Sequence, residues 1–237
     1  MKKTLIFIVF TTFITHAQVT SGILYYRGAM VADIIKSTDT IKNNKIKSIC
    51  NDINNSRQPI DFELRFHKEE SLFSSNPSMD IENSRLYKYA AHLLRANSVY
   101  YYNLKDNHFI RQTEAYGENF IIITPNYKWN LSSEVKIIGN YVCQKATTTY
   151  VINNSARTFN HKVTAWYTNQ LKIPFGPRGF NGLPGVIVQI DFQSFRYVLY
   201  KVDLNSNNPI TIDKPKKGKI VTKEEFENIS LNNSFKN

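Results

Sequence analysis

A cysteine and a histidine become a catalytic pair when the fold brings them together, because a thiol is an effective nucleophile once an imidazole takes its proton. The chain offers one such pair to a hairpin. Cys143 and His161 stand on either side of the turn cluster Asn153-Asn154-Ser155. The alternative for Cys143 is a small buried apolar side chain on a strand. Glu134 and Asp191 would serve acid–base chemistry if they met, and nothing in their spacing joins them. A metal centre needs several ligands to converge, whereas His67, His92, His108 and His161 are dispersed. No metal and no cofactor is therefore expected. The chain has neither a Gly-x-Ser-x-Gly elbow nor a His-Glu-x-x-His helix. His67-Lys68-Glu69-Glu70 reads as an exposed charge run.

The elements that must position these residues are mostly strands. Ile60, Phe62, Leu64 and Phe66 alternate with Asp61, Glu63, Arg65 and His67, the period of a half-buried strand. Residues 22–31, 99–104, 108–114, 119–124, 137–152, 158–168, 186–192 and 195–202 read as further strands. Short edge strands are expected at 210–212 and 219–221. Leu86, Tyr89, Ala90, Leu93 and Leu94 recur at helical spacing, which predicts a helix over Asp80–Ala96. Residues 32–51 suit a loop–helix segment, and a terminal helix is expected over 222–229, starting at Thr222 or Lys223. The sum is about nine or ten strands, mostly hairpin-connected, with one or two helices. The predicted class is α+β, mainly β: a curved antiparallel meander, half-barrel or open barrel, clasping the Asp80–Ala96 helix.

Composition bounds the setting. The 237 residues suffice for one sizeable domain. Met1-Lys2-Lys3, the apolar run Thr4–Ile14 and the small-residue site at Ala17 form the pattern of a secretory signal peptide over 1–17. The run is shorter than the ~20 residues of a membrane span, and no transmembrane segment is expected after cleavage. A single domain is expected over 18–231, with a disordered tail over 232–237. Export places the chain in the periplasm or at the cell surface. The net charge of +11 favours anionic partners, and Lys214-Pro215-Lys216-Lys217-Gly218-Lys219 is its densest cluster. An exported protein has little occasion to meet nucleic acid. The two cysteines, Cys50 and Cys143, could bridge in an oxidising compartment, and their spacing matches no metal motif. The 14 tyrosines and 15 phenylalanines suit strands and core.

The most constrained stretch is Gly176-Pro177-Arg178-Gly179-Phe180-Asn181-Gly182-Leu183-Pro184-Gly185. Glycine reaches backbone conformations closed to other residues, and proline fixes a torsion. The stretch is thus a sharply shaped loop, and the alternation from Val186 onward predicts a core strand directly after it. A phosphate cradle would need a helix N-terminus after the glycines, and a strand is predicted instead. Gly182-Leu183-Pro184-Gly185-Val186-Ile187 resembles the signature of the GLPGLI family, exported proteins of unknown function found mainly in Bacteroidota, with Val186 replacing the second leucine. Trp129 to Ala146 and Ala165-Trp166-Tyr167-Thr168, followed by Ile173-Pro174 and Gly176-Pro177, resemble further motifs of that family. The resemblance implies export and a shared fold, and it brings no catalytic residues.

These readings converge on an exported cell-envelope protein that binds or carries a ligand without transforming it. The expected ligand is apolar, lipid-like, peptide-like or anionic, or else an outer-membrane protein partner. Two other roles stay open: an envelope hydrolase or peptidase using Cys143 and His161, and a structural surface or assembly protein whose Gly/Pro loop docks a neighbour. On every reading the loop residues Gly176, Pro177, Gly179, Phe180, Gly182, Leu183, Pro184 and Gly185 are the feature to locate.

Overall fold

Alternate burial along the chain builds one large sheet. In β1 (Ser21–Met30) every second side chain, Leu24, Tyr26 and Met30 among them, points into the core. The computed structural model describes residues 20–32, 42–76, 85–204 and 209–234. The predicted signal peptide lies outside them, as do residues 33–41, 77–84 and 205–208. After β1 come α1 (Asn44–Asn55), β2 (Ile60–His67), β3 (Glu70–Ser75), α2 (Arg85–Leu93), β4 (Ser98–Asn103), β5 (His108–Ala115) and β6 (Glu118–Pro125). The second half holds β7 (Asn130–Ile138), β8 (Tyr141–Asn153), β9 (Thr158–Thr168), β10 (Val186–Phe192), β11 (Phe195–Asp203), β12 (Lys219–Thr222) and α3 (Lys223–Ser234).

Across the sheet the order is β12-β6-β5-β4-β3-β2-β1-β11-β10-β9-β8-β7. Two antiparallel meanders, β1 to β6 and β7 to β11, meet where β1 pairs antiparallel with β11. Among the described strands only β12 runs parallel to its neighbour, β6. The sheet stays open, with β12 and β7 at its edges. Five strand-to-strand steps separate β4 from β10, roughly 24 Å in a flat sheet at ~4.8 Å per step. Arg178 nevertheless touches both strands: its Nε lies 3.3 Å from Tyr100 Oη on β4, and its Cζ lies 4.6 Å from the Phe192 ring centre on β10. The sheet must therefore wrap around that side chain.

The mainly β class stands, with corrections. Among the described residues there are twelve strands rather than nine or ten. β3 runs into Ser74-Ser75-Asn76-Pro77, a run whose composition reads as a turn. The single strand expected at 137–152 is instead the junction of β7 and β8, turned at Gly139, which holds φ +56°. Residues 210–212 form no strand. The helix expected over Asp80–Ala96 is described as α2, only Arg85–Leu93, with residues 80–84 outside the described set. The loop between β9 and β10 fills the core of the sheet, and α2 adds Tyr87 and Ala90 to the same cluster. Ile173, Phe175, Phe180 and Leu183 of that loop are all buried, packed into the same cluster as Tyr26, Phe62, Phe66 and Phe73 of the sheet. Burying each such side chain contributes about 1.5–3 kcal/mol, and Phe62 and Phe73 stack at 5.1 Å.

The terminal helix closes one end. Thr222 and Glu225 form a reciprocal capping box: Thr222 N donates to Glu225 Oε2 at 2.7 Å, and Glu225 N donates to Thr222 Oγ1 at 3.2 Å. On the sheet side, Phe226 meets Phe120 of β6 edge-on at 5.2 Å. On the other side, Glu227 Oε2 accepts from Asn153 N and Asn228 Oδ1 accepts from Ser155 N, both at 2.7 Å. Helix α3 thus spans from β6 to the β8–β9 turn. It runs to Ser234, inside the segment expected to be disordered, and residues 235–237 lie outside the described set.

Candidate functional site

The structure separates the predicted thiol–imidazole pair. On the β8–β9 ladder His161 faces Tyr150 and Tyr167 faces Gln144. Cys143 is therefore seven positions from the residue opposite His161, roughly 23 Å along the strand at ~3.3 Å per residue. Cys143 is fully buried, and burial pushes its thiol up, away from the thiolate form. Both cysteines are unbridged. Asp191 is held by Arg196 at 2.6 Å and Glu134 by Lys145 at 2.8 Å, in separate exposed ion pairs. Among the described residues, no three His, Cys, Asp or Glu side chains cluster as metal ligands would.

The Gly/Pro loop forms the floor of a cleft. Gly176, Pro177, Gly179, Phe180, Leu183 and Gly185 are buried, while Gly182 and Pro184 are exposed. Gly176 N donates to Asn181 Oδ1 at 2.9 Å, and Trp129 Nε1 donates to Asn181 O at 2.9 Å, tying the loop to itself and to the segment before β7. Two glycines are there for different reasons. A Cβ at Gly185 would lie 2.0 Å from Thr168 O, so the backbones meet too closely for a side chain. Gly179 holds φ +82°, and a Cβ there would meet the Phe109 ring at 2.4 Å. Phe180 stacks on Tyr127 at 4.7 Å and packs against Phe192 at 5.5 Å.

Arg178, between Gly176 and Gly179, lines the cleft. Its residue exposure is 9 %. Its Nη1 lies 3.4 Å from Tyr197 Oη, complementing the contact with Tyr100, and Tyr197 Oη in turn donates to Leu94 O at 2.9 Å. Among the described residues no carboxylate pairs with it. Burial works against the charge, but the phenols of Tyr100, Tyr197 and Tyr150 raise its pKa above the ordinary value, so it stays cationic. Two further guanidiniums face it. Arg111 is the cross-strand neighbour of Tyr100. Arg95 lies at the mouth, reached by water yet closely surrounded by protein. Burial, then the charges of Arg111 and Arg178, lower the Arg95 pKa. At Tyr100 burial alone would raise the phenol, but Arg178, Arg111 and Arg95 outweigh it and hold the group at about 8. Tyr197 goes the other way, pushed up to about 12 by burial against Arg178.

Two of these arginines sit on backbone that glycine would occupy more cheaply. Arg95 terminates α2 with Arg95 N bonded to His92 O and Ala96 N to Ala91 O, the Schellman pattern, whose left-handed residue is usually glycine. Arg95 holds φ 58° and Arg178 φ 56°. Each left-handed non-glycine residue costs about 1–2 kcal/mol, a cost that marks sites where the side chain is needed. The cleft beside them has a volume of about 420 Å³ and is bounded by Leu93, Arg95, Tyr150, His161, Arg178 and Phe192. A second, smaller cavity of about 40 Å³ shares Tyr150, Arg178 and Phe192 with it and is lined also by Arg111, Tyr127 and Lys223. Among the described residues Glu227 is the one carboxylate on these walls, and Lys223 engages it.

Sequence reasoning reached the loop and passed over its arginine. Arg95, Tyr100 and Arg111 come from a helix end and two strands with no shared motif. The one available signal was a bulky cation between the glycines of a shaped loop. His161 reaches the cleft wall, and Cys143 does not.

Comparison with known proteins bears on the same region. Residues 155–189 match the model of a family described as "Protein of unknown function (Porph_ging)". The matched segment spans all of β9, the loop and the first residues of β10, and so includes the GLPGLI-like hexapeptide. The family model carries another name, and the GLPGLI assignment stays a resemblance. No curated protein matches the chain. Among solved structures the chain is similar to PNGF-II in a C2 crystal form, with TM-score 0.50 and 12% identity over 90% of this chain and 32% of that one. It is also similar to PNGF-II in a P21 form, with TM-score 0.47 and 14% identity over 91% of this chain and 33% of that one. The chain thus spans about a third of the length of those structures, and the likeness is one of fold.

Proposed function

We propose that the protein is an exported cell-envelope protein that binds or carries a ligand in the cleft beside Arg178. The leader pattern at residues 1–17 motivates the location. The observation that carries the binding role is the cleft itself: about 420 Å³, walled in part by Leu93, Tyr150, Phe192 and Phe195. That size suits a small organic ligand. The half-barrel picture belongs to this reading, with the loop as the floor on which a ligand rests. The test is a titration of the mature chain with Nile red, a neutral apolar probe. Saturable fluorescence enhancement, abolished by Phe192→Ala in a protein that still folds, is the expected result. No enhancement, together with native mass spectra free of any co-purified ligand, removes the reading.

A second role, assembly with a neighbouring protein at the outer membrane, is supported by β7. It is an open edge strand, and Val135 and Ile137 on it are 55% and 75% exposed. Bare apolar edges pair readily with other strands. Sedimentation of the protein and of an Ile137→Lys variant tests this role: a concentration-dependent oligomer lost in the variant supports it, and a monomer in both overturns it.

A further inference from the structure

The cleft is more selective than a greasy groove. Arg95 and Arg178 line the cleft, and Arg178 also lines an adjoining cavity of about 40 Å³ with Arg111, Lys223 and Glu227, the carboxylate that Lys223 already engages. The charges of Arg111 and Arg178 act on Arg95 without an acid between them, and for the buried Arg178 taking a charge out of water unpaired is costly. Arg178 uses two of its five N–H donors, in long contacts of 3.3 and 3.4 Å to phenols. A planar fork with donors to spare is the usual partner of a carboxylate or phosphate. The phenol of Tyr100 is mostly protonated at neutral pH and supplies no full negative charge there. Leu93, Tyr127, Tyr150, Phe180, Phe192 and Phe195 supply aromatic and aliphatic wall, and His92, His161, Gln193 and Ser194 are polar members of the cleft lining.

Building on the binding role, we propose that the ligand is an organic anion. Its single carboxylate or phosphate head sits among Arg178, Arg111 and Arg95, and its apolar body lies along the Phe192 wall. The head supplies the missing counter-charge, and its oxygens take the unused guanidinium donors. The left-handed backbone at Arg95 and Arg178 is then the structural cost of presenting two cations at one point.

The experiment uses calorimetry on the mature chain with three probes: decyl phosphate, decanol and inorganic phosphate. Decyl phosphate is expected to bind at least tenfold more tightly than either of the others, and its affinity is expected to fall with added salt. Two variants leave the buried Arg178 in place. Arg95→Gly places glycine on left-handed backbone, so its melting temperature should hold or rise while decyl phosphate affinity falls at least tenfold. Arg111→Met should lose a similar factor. Decanol binding as tightly as decyl phosphate would overturn the anionic head and leave the binding role standing. Inorganic phosphate binding equally well would overturn the apolar body. If all three probes and Nile red fail to bind, the binding role falls as well. Unchanged affinity in Arg95→Gly and Arg111→Met would show that the head does not sit among these arginines.

Discussion

Arg178 Nε and Tyr100 Oη lie 3.3 Å apart although 78 positions separate them in the chain. The contact joins the loop between β9 and β10 to β4. It gives one tyrosine an ionisation unlike its neighbours', since Tyr26, Tyr127 and Tyr197 are all raised.

That difference is measurable by absorbance. The tyrosinate band should show a first step near pH 8, the size of one residue, well before the bulk of the tyrosines ionise. Tyr100→Phe should remove the step and leave the later rise in place. A titration without the early step would show that the three guanidiniums do not act together on Tyr100.

The same shift sets a direction for stability. The phenol of Tyr100 is depressed from 10.0 to about 8 in the folded chain. The unfolded chain therefore binds the extra proton between pH 8 and 10, and this group's contribution to stability grows over that window. It is complete above the unfolded value and lost as pH falls through 8. Two units correspond to at most about 2.7 kcal/mol. Urea unfolding at pH 7.5 and 9.5, compared with Tyr100→Phe, should show the wild type gaining relative to the variant. A parallel pH dependence in the two proteins would contradict the shift.

Two glycines of one loop should respond differently to alanine. Gly182→Ala meets only the left-handed backbone penalty, since nothing lies near its Cβ, and should cost about 1–2 kcal/mol. Gly185→Ala drives a methyl into Thr168 O at 2.0 Å, and should cost about 3 kcal/mol or more. Equal losses in denaturant melts would contradict the close approach of β9 to the loop.

Thiol chemistry should divide the two cysteines. Iodoacetamide should label the partly exposed Cys50 in the native protein and spare Cys143 until denaturant is added, as peptide mass spectrometry would show. Cys143→Ala should leave ligand binding unchanged. Rapid native labelling of Cys143 would reopen the nucleophile reading.

The clasp by α3 can be released at one residue. Glu227→Ala removes the acceptor for Asn153 N and the partner of Lys223, a loss of about 1–3 kcal/mol for a hydrogen bond to a charged group. Hydrogen exchange should speed up in the β8–β9 turn and in α3 and stay unchanged at the β1–β11 pairing. Uniform acceleration would show that α3 is not a local clasp.

The strands that face water on one side and core on the other were legible in the sequence. Ile60, Phe62, Leu64 and Phe66 point inward in β2 as their alternation requires, with Leu64 fully buried. β7 was not legible, because an edge strand with Leu131, Val135 and Ile137 all exposed shows no contrast between its faces. β3 hid behind Ser74 and Ser75, which with Asn76 and Pro77 read as a turn; Ser75 Oγ in fact donates to Ala96 O at 2.7 Å, fastening the strand to the end of α2. The loop was legible as shape through its glycines and prolines. The site was not, because Arg95, Tyr100, Arg111 and Arg178 become neighbours only when the sheet has wrapped, and no local pattern encodes that closure.

The pairing of Ile23 with Asp203 and of Met30 with Phe195 has a consequence for biogenesis. Strands β1 to β6 can assemble from the first half of a nascent polypeptide, but the free flank of β1 has no partner until residue 203 has been synthesised. During that interval a ladder of bare amides and carbonyls is open to other chains. Translation to near the C-terminus thus decides when the young protein stops being sticky. Truncations ending before β11 should consequently accumulate as aggregates rather than as soluble half-sheets.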